Sequence, residues 1–170
     1  MNANERPPLY FAYGSNLNPS QMAKRCPGHR VVGRASLEGY QLRFRGYGRD
    51  WAGAVGTVEP AAGSTVWGAV FALTPEHYAT LDQYEGFDGP GLESNLYDRV
   101  ELDVRLESAG TARCLTYVIR PLEEGLPSAA YRDAIVAGLR HHGLPAEYIA
   151  ALAAHPVALL SAANGDAGWP

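Results

Sequence analysis

Residues 65–86, TVWGAVFALTPEHYATLDQYEG, change their hydrophobic period halfway along, and the reading of the chain turns on that change. The first eight, TVWGAVFA, read as a buried strand rich in β-branched and aromatic residues. At Thr74-Pro75-Glu76 a helix begins, with Thr74 as N-cap and Pro75 at the first helical position, where a missing N–H does no harm. The helix runs to about Glu85 and stops at Gly86. Upstream lie strand patterns at 8–13, at 31–46 (one or two strands) and at 53–59. Downstream, the loop FDGPGLESN leads to strands at 97–107 and 112–119, joined by the hairpin signal Ser108-Ala109-Gly110. Helices at 128–142 and 145–154, separated by Gly143-Leu144-Pro145, close the pattern. Strands dominate the first two-thirds with no regular βαβ alternation. The expected class is therefore α+β, a mixed, largely antiparallel, barrel-like sheet of five to six strands with flanking helices. The glycines of 53–59 and 65–72 mark bulges or close backbone approach.

The chain of 170 residues suits a single domain, 1–170, with an ordered core at about 8–155 and a loose tail at 161–170. Its net charge of −4 speaks against a general polyanion binder, so nucleic acid is not an expected partner. The first residues contain no apolar signal-peptide core, and no apolar run approaches the roughly 18 residues of a membrane helix. Cys26 and Cys114 form no CxxC and read as two reduced thiols. A cytoplasmic monomer or homodimer without membrane contact is expected.

Two features carry chemistry. The first is FAYGSNL at 11–17, where an apolar strand ends in Tyr13-Gly14-Ser15-Asn16 and a helix start follows at once. Gly14 can take φ > 0 and lets another molecule approach the backbone. Asn18-Pro19-Ser20-Gln21 offers a cap, a proline at the first helical position and a glutamine placed for a capping box. Such a junction points N–H groups toward an anion. GxxxxGK[ST] is absent, so a carboxylate or oxyanion suits the cradle better than a phosphate, although an ordinary strand-to-helix turn would carry the same residues.

The second feature is Glu85. At about 100° per residue it shares a stripe with Tyr78 and Leu81, so it should face the core. It also ends the helix, where the dipole disfavours a negative charge. Burial and dipole together would raise its pKa toward the range useful for proton transfer. The bland alternatives are fraying into solvent or pairing with Arg99 or Arg105. Asp82, at the edge of the stripe, is expected in solvent.

Other constellations are weaker. His141-His142 diverge on a helix, and His29, His77 and His155 lack nearby ligand partners, so no metal is expected. Ser15 has no GxSxG elbow, and Cys26 near His29 is not thereby an activated nucleophile. Arg43 to Trp51 interleaves basic and aromatic residues, a pattern that could stack single-stranded nucleic acid. A strand with solvent-facing arginines and inward aromatics is the better reading. Trp67, Tyr97 and Tyr117 are core residues by default and could equally line a pocket.

Together the turn and the glutamate resemble the gamma-glutamylcyclotransferase family (AIG2-like fold). FAYGSNL, VWGAVF at 66–71, LDQYEGF at 81–87, LYDRVEL, CLTYVI and GLPAEYIAAL at 143–152 fall in the family's order over nearly the whole chain. The resemblance implies a barrel-like α+β fold, no metal and no organic cofactor. It also implies intramolecular aminolysis of a small γ-glutamyl amide to 5-oxoproline and a free amine. By position, Glu85 matches the catalytic glutamate, the backbone of Tyr13, Gly14, Ser15 and Asn16 would bind the glutamyl head, and Tyr97 and Tyr117 match aromatic positions near it. The stretch between Glu85 and Tyr97 is longer than in compared relatives and would border the pocket, leaving the choice of leaving group open. Tyr13-Gly14-Ser15-Asn16 differs from the YGSL form of the glutathione-specific branch, which speaks against glutathione. A specialised γ-glutamyl intermediate, a γ-glutamylamine, or a non-catalytic binding module of the same fold are the alternatives.

Overall fold

In the computed structural model, which describes residues 8–159, five strands close into a barrel in the order β1-β3-β2-β4-β5. The strands are β1 (Leu9–Ala12), β2 (Arg30–Gly48), β3 (Gly53–Ala72), β4 (Tyr97–Leu106) and β5 (Gly110–Ile119). Four helices accompany them: α1 (Pro19–Arg25), α2 (Pro75–Glu85), α3 (Ala129–His141) and α4 (Ala146–Ala153). All strand pairs are antiparallel except β1 with β5, where Leu9 lies against Cys114 and Tyr10 against Leu115. The expected mixed, largely antiparallel α+β barrel is what the chain forms. The expected tail at 161–170 lies outside the described residues.

The patterns at 53–59 and 65–72 are one strand of 20 residues, β3, and β2 runs unbroken for 19. Composition suggests a break because Pro60 and several glycines interrupt the alternation. Pro60 sits opposite Tyr40, next to a register shift between Glu38 and Tyr40, where a missing ladder N–H is tolerated. Gly39, with φ of 78°, supplies the left-handed residue at that irregularity. The two long strands bend around the barrel there rather than ending.

Successive residues of β1, and Tyr13 just beyond it, feed different cores. Tyr10 and Ala12 pack with Leu17 and Met22 of the first helical segment, Leu81 of α2, and Ile135 and Leu139 of α3. Phe11 and Tyr13 pack with strand residues such as Leu37, Val58, Val66 and Val104. Period-2 alternation thus places apolar groups on both faces of β1, since one face meets the barrel and the other meets helices. At Gly68 a Cβ would stand 2.2 Å from the Ala12 carbonyl oxygen, so glycine is what lets β1 lie against β3. The chain then leaves β1 between these two packed layers, at the place where α2 ends. No helix among the described residues is long and apolar enough to cross a membrane.

Candidate functional site

Helix α2 is set as its sequence demands. Thr74 Oγ1 accepts from the His77 amide, the His77 ring accepts from the Thr74 amide, and Gly86 closes the helix with φ of 63° and ψ of 44°. Tyr78 and Leu81 are buried, and Glu85 follows them on the same stripe with its side chain 15% exposed. It does not fray.

The chain beyond β1 meets it. Ser15–Leu17 form a single 3-10 turn, and Asn16 is buried. Asn16 Nδ2 donates to Glu85 Oε1 at 3.1 Å and to the Tyr10 hydroxyl at 2.8 Å. Asn16 Oδ1 accepts from Arg25 Nη1 at 2.8 Å and from Gln21 Nε2 at 3.0 Å. Arg25 Nη1 also reaches Glu85 Oε1 at 3.3 Å, and Gln21 Nε2 donates to Ser15 Oγ at 2.8 Å. Both hydrogen bonds that Glu85 receives from the described residues fall on Oε1. Oε2 has no protein partner among the described residues, yet it is not among the sealed, unpartnered polar atoms. It keeps access to the cavity that Glu85 lines.

Desolvation lifts the Glu85 carboxyl above its ordinary pKa and outweighs the Arg25 charge and the Asn16 hydrogen bond, which act the other way. An ionised Glu85 with a partly satisfied carboxylate is a proton acceptor. Around it the phenols of Tyr10, Tyr13, Tyr97 and Tyr131 are all raised by burial, so they remain neutral. Tyr97 donates to the Gly56 carbonyl at 3.0 Å, and the Gly56 amide donates to Tyr131 at 2.9 Å. A Cβ on Gly56 would come within 3.2 Å of that Tyr131 hydroxyl, so β3 carries a glycine where the phenols converge.

The space has two parts. An inner cleft of about 30 Å³ is lined by Tyr10, Tyr13, Gly14, Ser15, Asn16, Gly56, Glu85, Tyr97 and Tyr117. An outer chamber of about 340 Å³ shares Ser15, Glu85 and Tyr97 with it and extends to Tyr47–Trp51, Tyr84 and Leu96. The amides of Gly14, Ser15 and Asn16 donate to no backbone or side-chain acceptor among the described residues.

The AIG2-like family pattern matches residues 65–152. Gamma-glutamylcyclotransferases of Mus musculus and Homo sapiens are each 31% identical over 144 residues, covering 82% of this chain and 74% of theirs. The chain belongs to the gamma-glutamylcyclotransferase family. A solved gamma-glutamyl cyclotransferase superposes with a TM-score of 0.81 at 29% identity, covering 88% of both chains. A human structure gives 0.82 at 30% identity over 91% of this chain and 90% of that one.

Every residue expected at the site of this family member, Tyr13, Gly14, Ser15, Asn16, Glu85, Tyr97 and Tyr117, lines the inner cleft. Several details differ from expectation. Gly14 has φ of −110°, so its use is not left-handed backbone; the nearest atom to an added Cβ would be the Tyr131 hydroxyl at 3.5 Å. Gln21 completes no capping box, because its amide is held by Ser15 and Asn16. Asn18 alone caps α1, accepting from the Ser20 and Gln21 amides, so the free donors belong to the 3-10 turn rather than to the helix end. Glu85 pairs with Arg25; Arg99 pairs with Asp82 at 3.3 Å and Arg105 with Glu38. Asp82 is not in solvent, for it also accepts from the Tyr117 hydroxyl at 2.7 Å.

The basic-aromatic stretch divides in two. Arg43 and Arg45 pair with Glu124 and Glu59 while Phe44 is buried, as a strand would have it. Tyr47 to Trp51 instead line the outer chamber. Cys26 and Cys114 are free and buried, and burial pushes both thiols up to about 11, far from a nucleophile's range. Sequence reasoning missed Arg25, Gln21, Tyr10 and Tyr131. Gln21 was noted only for a capping box, and Arg25 left a trace as a basic residue in the last turn of the helix that follows the glycine turn.

Proposed function

We propose that this enzyme closes the γ-glutamyl group of a small amide into 5-oxoproline, with Glu85 as general base and then general acid. The α-amine nitrogen attacks the γ-carbonyl carbon, a five-membered ring forms, and the C–N bond to the leaving amine breaks. The α-amine, with a pKa of about 8 in model peptides, must lose a proton for attack. That first proton passes to solvent; as the ring closes, Glu85 Oε2, open to the cavity, accepts a second proton from the attacking nitrogen and returns it to the departing nitrogen. The chemistry is balanced without a cofactor, since the proton taken is the proton delivered.

The other groups have separate tasks. The unpaired amides of Gly14, Ser15 and Asn16 hold the oxyanion that develops on the γ-carbonyl, or the α-carboxylate of the glutamyl head. Asn16 and Arg25 grip Oε1 and fix the direction of Oε2. Tyr97 and Tyr117 wall the cleft, and their hydroxyls are held by Gly56 and Asp82. Because both reacting groups belong to one molecule, holding it folded supplies further rate. The observation that carries this reading is the half-satisfied, desolvated Glu85 at the junction of cleft and chamber.

A panel of γ-glutamyl amides assayed for 5-oxoproline tests it. Release by the wild type, lost in Glu85→Gln while calorimetric substrate binding persists, is the expected result. Undiminished turnover in Glu85→Gln would remove the acid–base assignment.

A further inference from the structure

We propose that the outer chamber is a leaving-group subsite that selects γ-glutamyl derivatives of apolar, flat amines, with Trp51, Tyr84 and Leu96 as its discriminating walls. The proposal rests on the cyclisation reading above and specifies its substrate class. The inner cleft, about 30 Å³, has room for one or two water-sized groups, so only one small polar end of the glutamyl head enters it. The rest of any substrate reaching Glu85 must occupy the 340 Å³ chamber, which shares Glu85 and Tyr97 with the cleft.

The chamber is aromatic and it is rigid where it matters. Trp51 packs on Tyr131 at 4.9 Å between ring centroids, and Tyr131 is itself held by the Gly56 amide. Gly53, two residues on, lies so close to the backbone of Ser128 that a Cβ would stand 2.5 Å away, which seats this hairpin against the start of α3. Across the space, the Arg25 guanidinium lies 4.3 Å from the Tyr84 ring centroid, a cation–π contact that couples this wall to the group holding Glu85. Tyr84 is 55% exposed and Leu96 41%, so both walls present open surface to a group in the chamber.

Leu96 arrives by the loop 87–95, which is pinned rather than slack. Asn95 is buried, accepts from the Asp88 amide at 2.9 Å and donates to the Gly89 carbonyl and to Asp98. Arg120 donates to the carbonyls of Leu92 and Glu93. The rim's remaining charges, Arg49 and Asp50, are adjacent and opposite, so the mouth has no net charge to favour an anionic or cationic leaving group. An aromatic amine lies against Trp51 and Tyr84 in this geometry, and a small or charged one leaves them uncovered.

The test is a matched series of γ-glutamyl-phenethylamide, γ-glutamyl-phenylalanine, γ-glutamyl-glycine and γ-glutamyl-glutamate. Release of 5-oxoproline from each is followed and the kcat/KM values are compared. The same series is titrated by calorimetry against Glu85→Gln, which reads binding without turnover. The aromatic compounds are expected to exceed the glycine compound by about tenfold or more in both measurements. Trp51→Ala and Tyr84→Ala should each collapse that ratio toward one, and Tyr84→Phe should keep it. Equal values across the series, a preference for the glutamate compound, or a ratio untouched by both alanine variants would overturn the subsite. Aromatic preference in Glu85→Gln binding without 5-oxoproline from any compound would uphold the subsite and overturn the cyclisation reading instead.

Discussion

Asp82 and Glu85 stand three residues apart on α2, and each has an arginine at 3.3 Å and one further donor. In Asp82 the two donors are shared out, with Tyr117 on Oδ1 and Arg99 on Oδ2. In Glu85 both fall on Oε1 and Oε2 is left open. The first carboxylate has a partner on each oxygen and ties β4 and β5 to α2. The second is fixed in direction by one oxygen and available through the other. Burial alone does not separate a structural carboxylate from a reactive one here, since the side chains are 21% and 15% exposed. The distribution of partners between the two oxygens does.

The largest expected effect breaks this pair apart directly. Glu85→Gln keeps the hydrogen bonds at Oε1 but cannot take a proton, and steady-state 5-oxoproline release should fall by about 10² to 10⁴. Asp82→Asn should lose at least about ten times less activity than that, with its main effect on melting temperature. Near-equal losses would mean the two carboxylates are not functionally distinct. Next comes Arg25, whose charge favours the ionised Glu85. Arg25→Gln should move the acidic limb of the kcat/KM profile to higher pH, and Arg25→Lys should restore part of it. A merely structural arginine would lower activity without moving the limb.

Tyr117→Phe removes a hydrogen bond to a carboxylate, and chemical denaturation should register a loss of about 1.5–3 kcal/mol. Glu85 acts on stability with a defined sign. Its folded pKa is raised, so its favourable contribution is complete below its ordinary value of 4.5 and is lost as pH rises through the folded value. The melting temperature of Glu85→Gln minus that of the wild type should therefore increase from pH 4.5 upward. Smallest is Arg113→Ala, which removes exposed pairs with Glu101 and Asp103 and should leave the melting temperature indistinguishable from that of the wild type.

Local chemistry was legible in the sequence where one segment decides the outcome. Thr74-Pro75 and Gly86 bound α2 as the rules of capping require, and the spacing of Tyr78, Leu81 and Glu85 put the glutamate inward. The turn at Tyr13 to Asn16 stands out in the sequence, and the family resemblance places it beside Glu85, where the chain puts it. What was not legible depends on chain closure. Arg25 and Glu85 are 60 residues apart, and Gln21's capping-box spacing is overridden by two acceptors that only the folded 3-10 turn provides. The patterns at 53–59 and 65–72 read as separate strands because an irregularity such as that at Pro60 inside a long strand has the same composition as a turn between two short ones. Tyr47–Trp51 had no local sign of lining a chamber, since what faces it comes from α2 and from the loop before β4.

The role of the open Glu85 oxygen is tested most directly by the pH dependence of kcat/KM on wild type and Glu85→Gln, with one γ-glutamyl amide as substrate and 5-oxoproline as the product followed. The wild type should show an acidic limb set by one group titrating above 4.5, and Glu85→Gln should lose that limb together with most of the rate. An acidic limb that persists unchanged in Glu85→Gln would show that another group carries the proton.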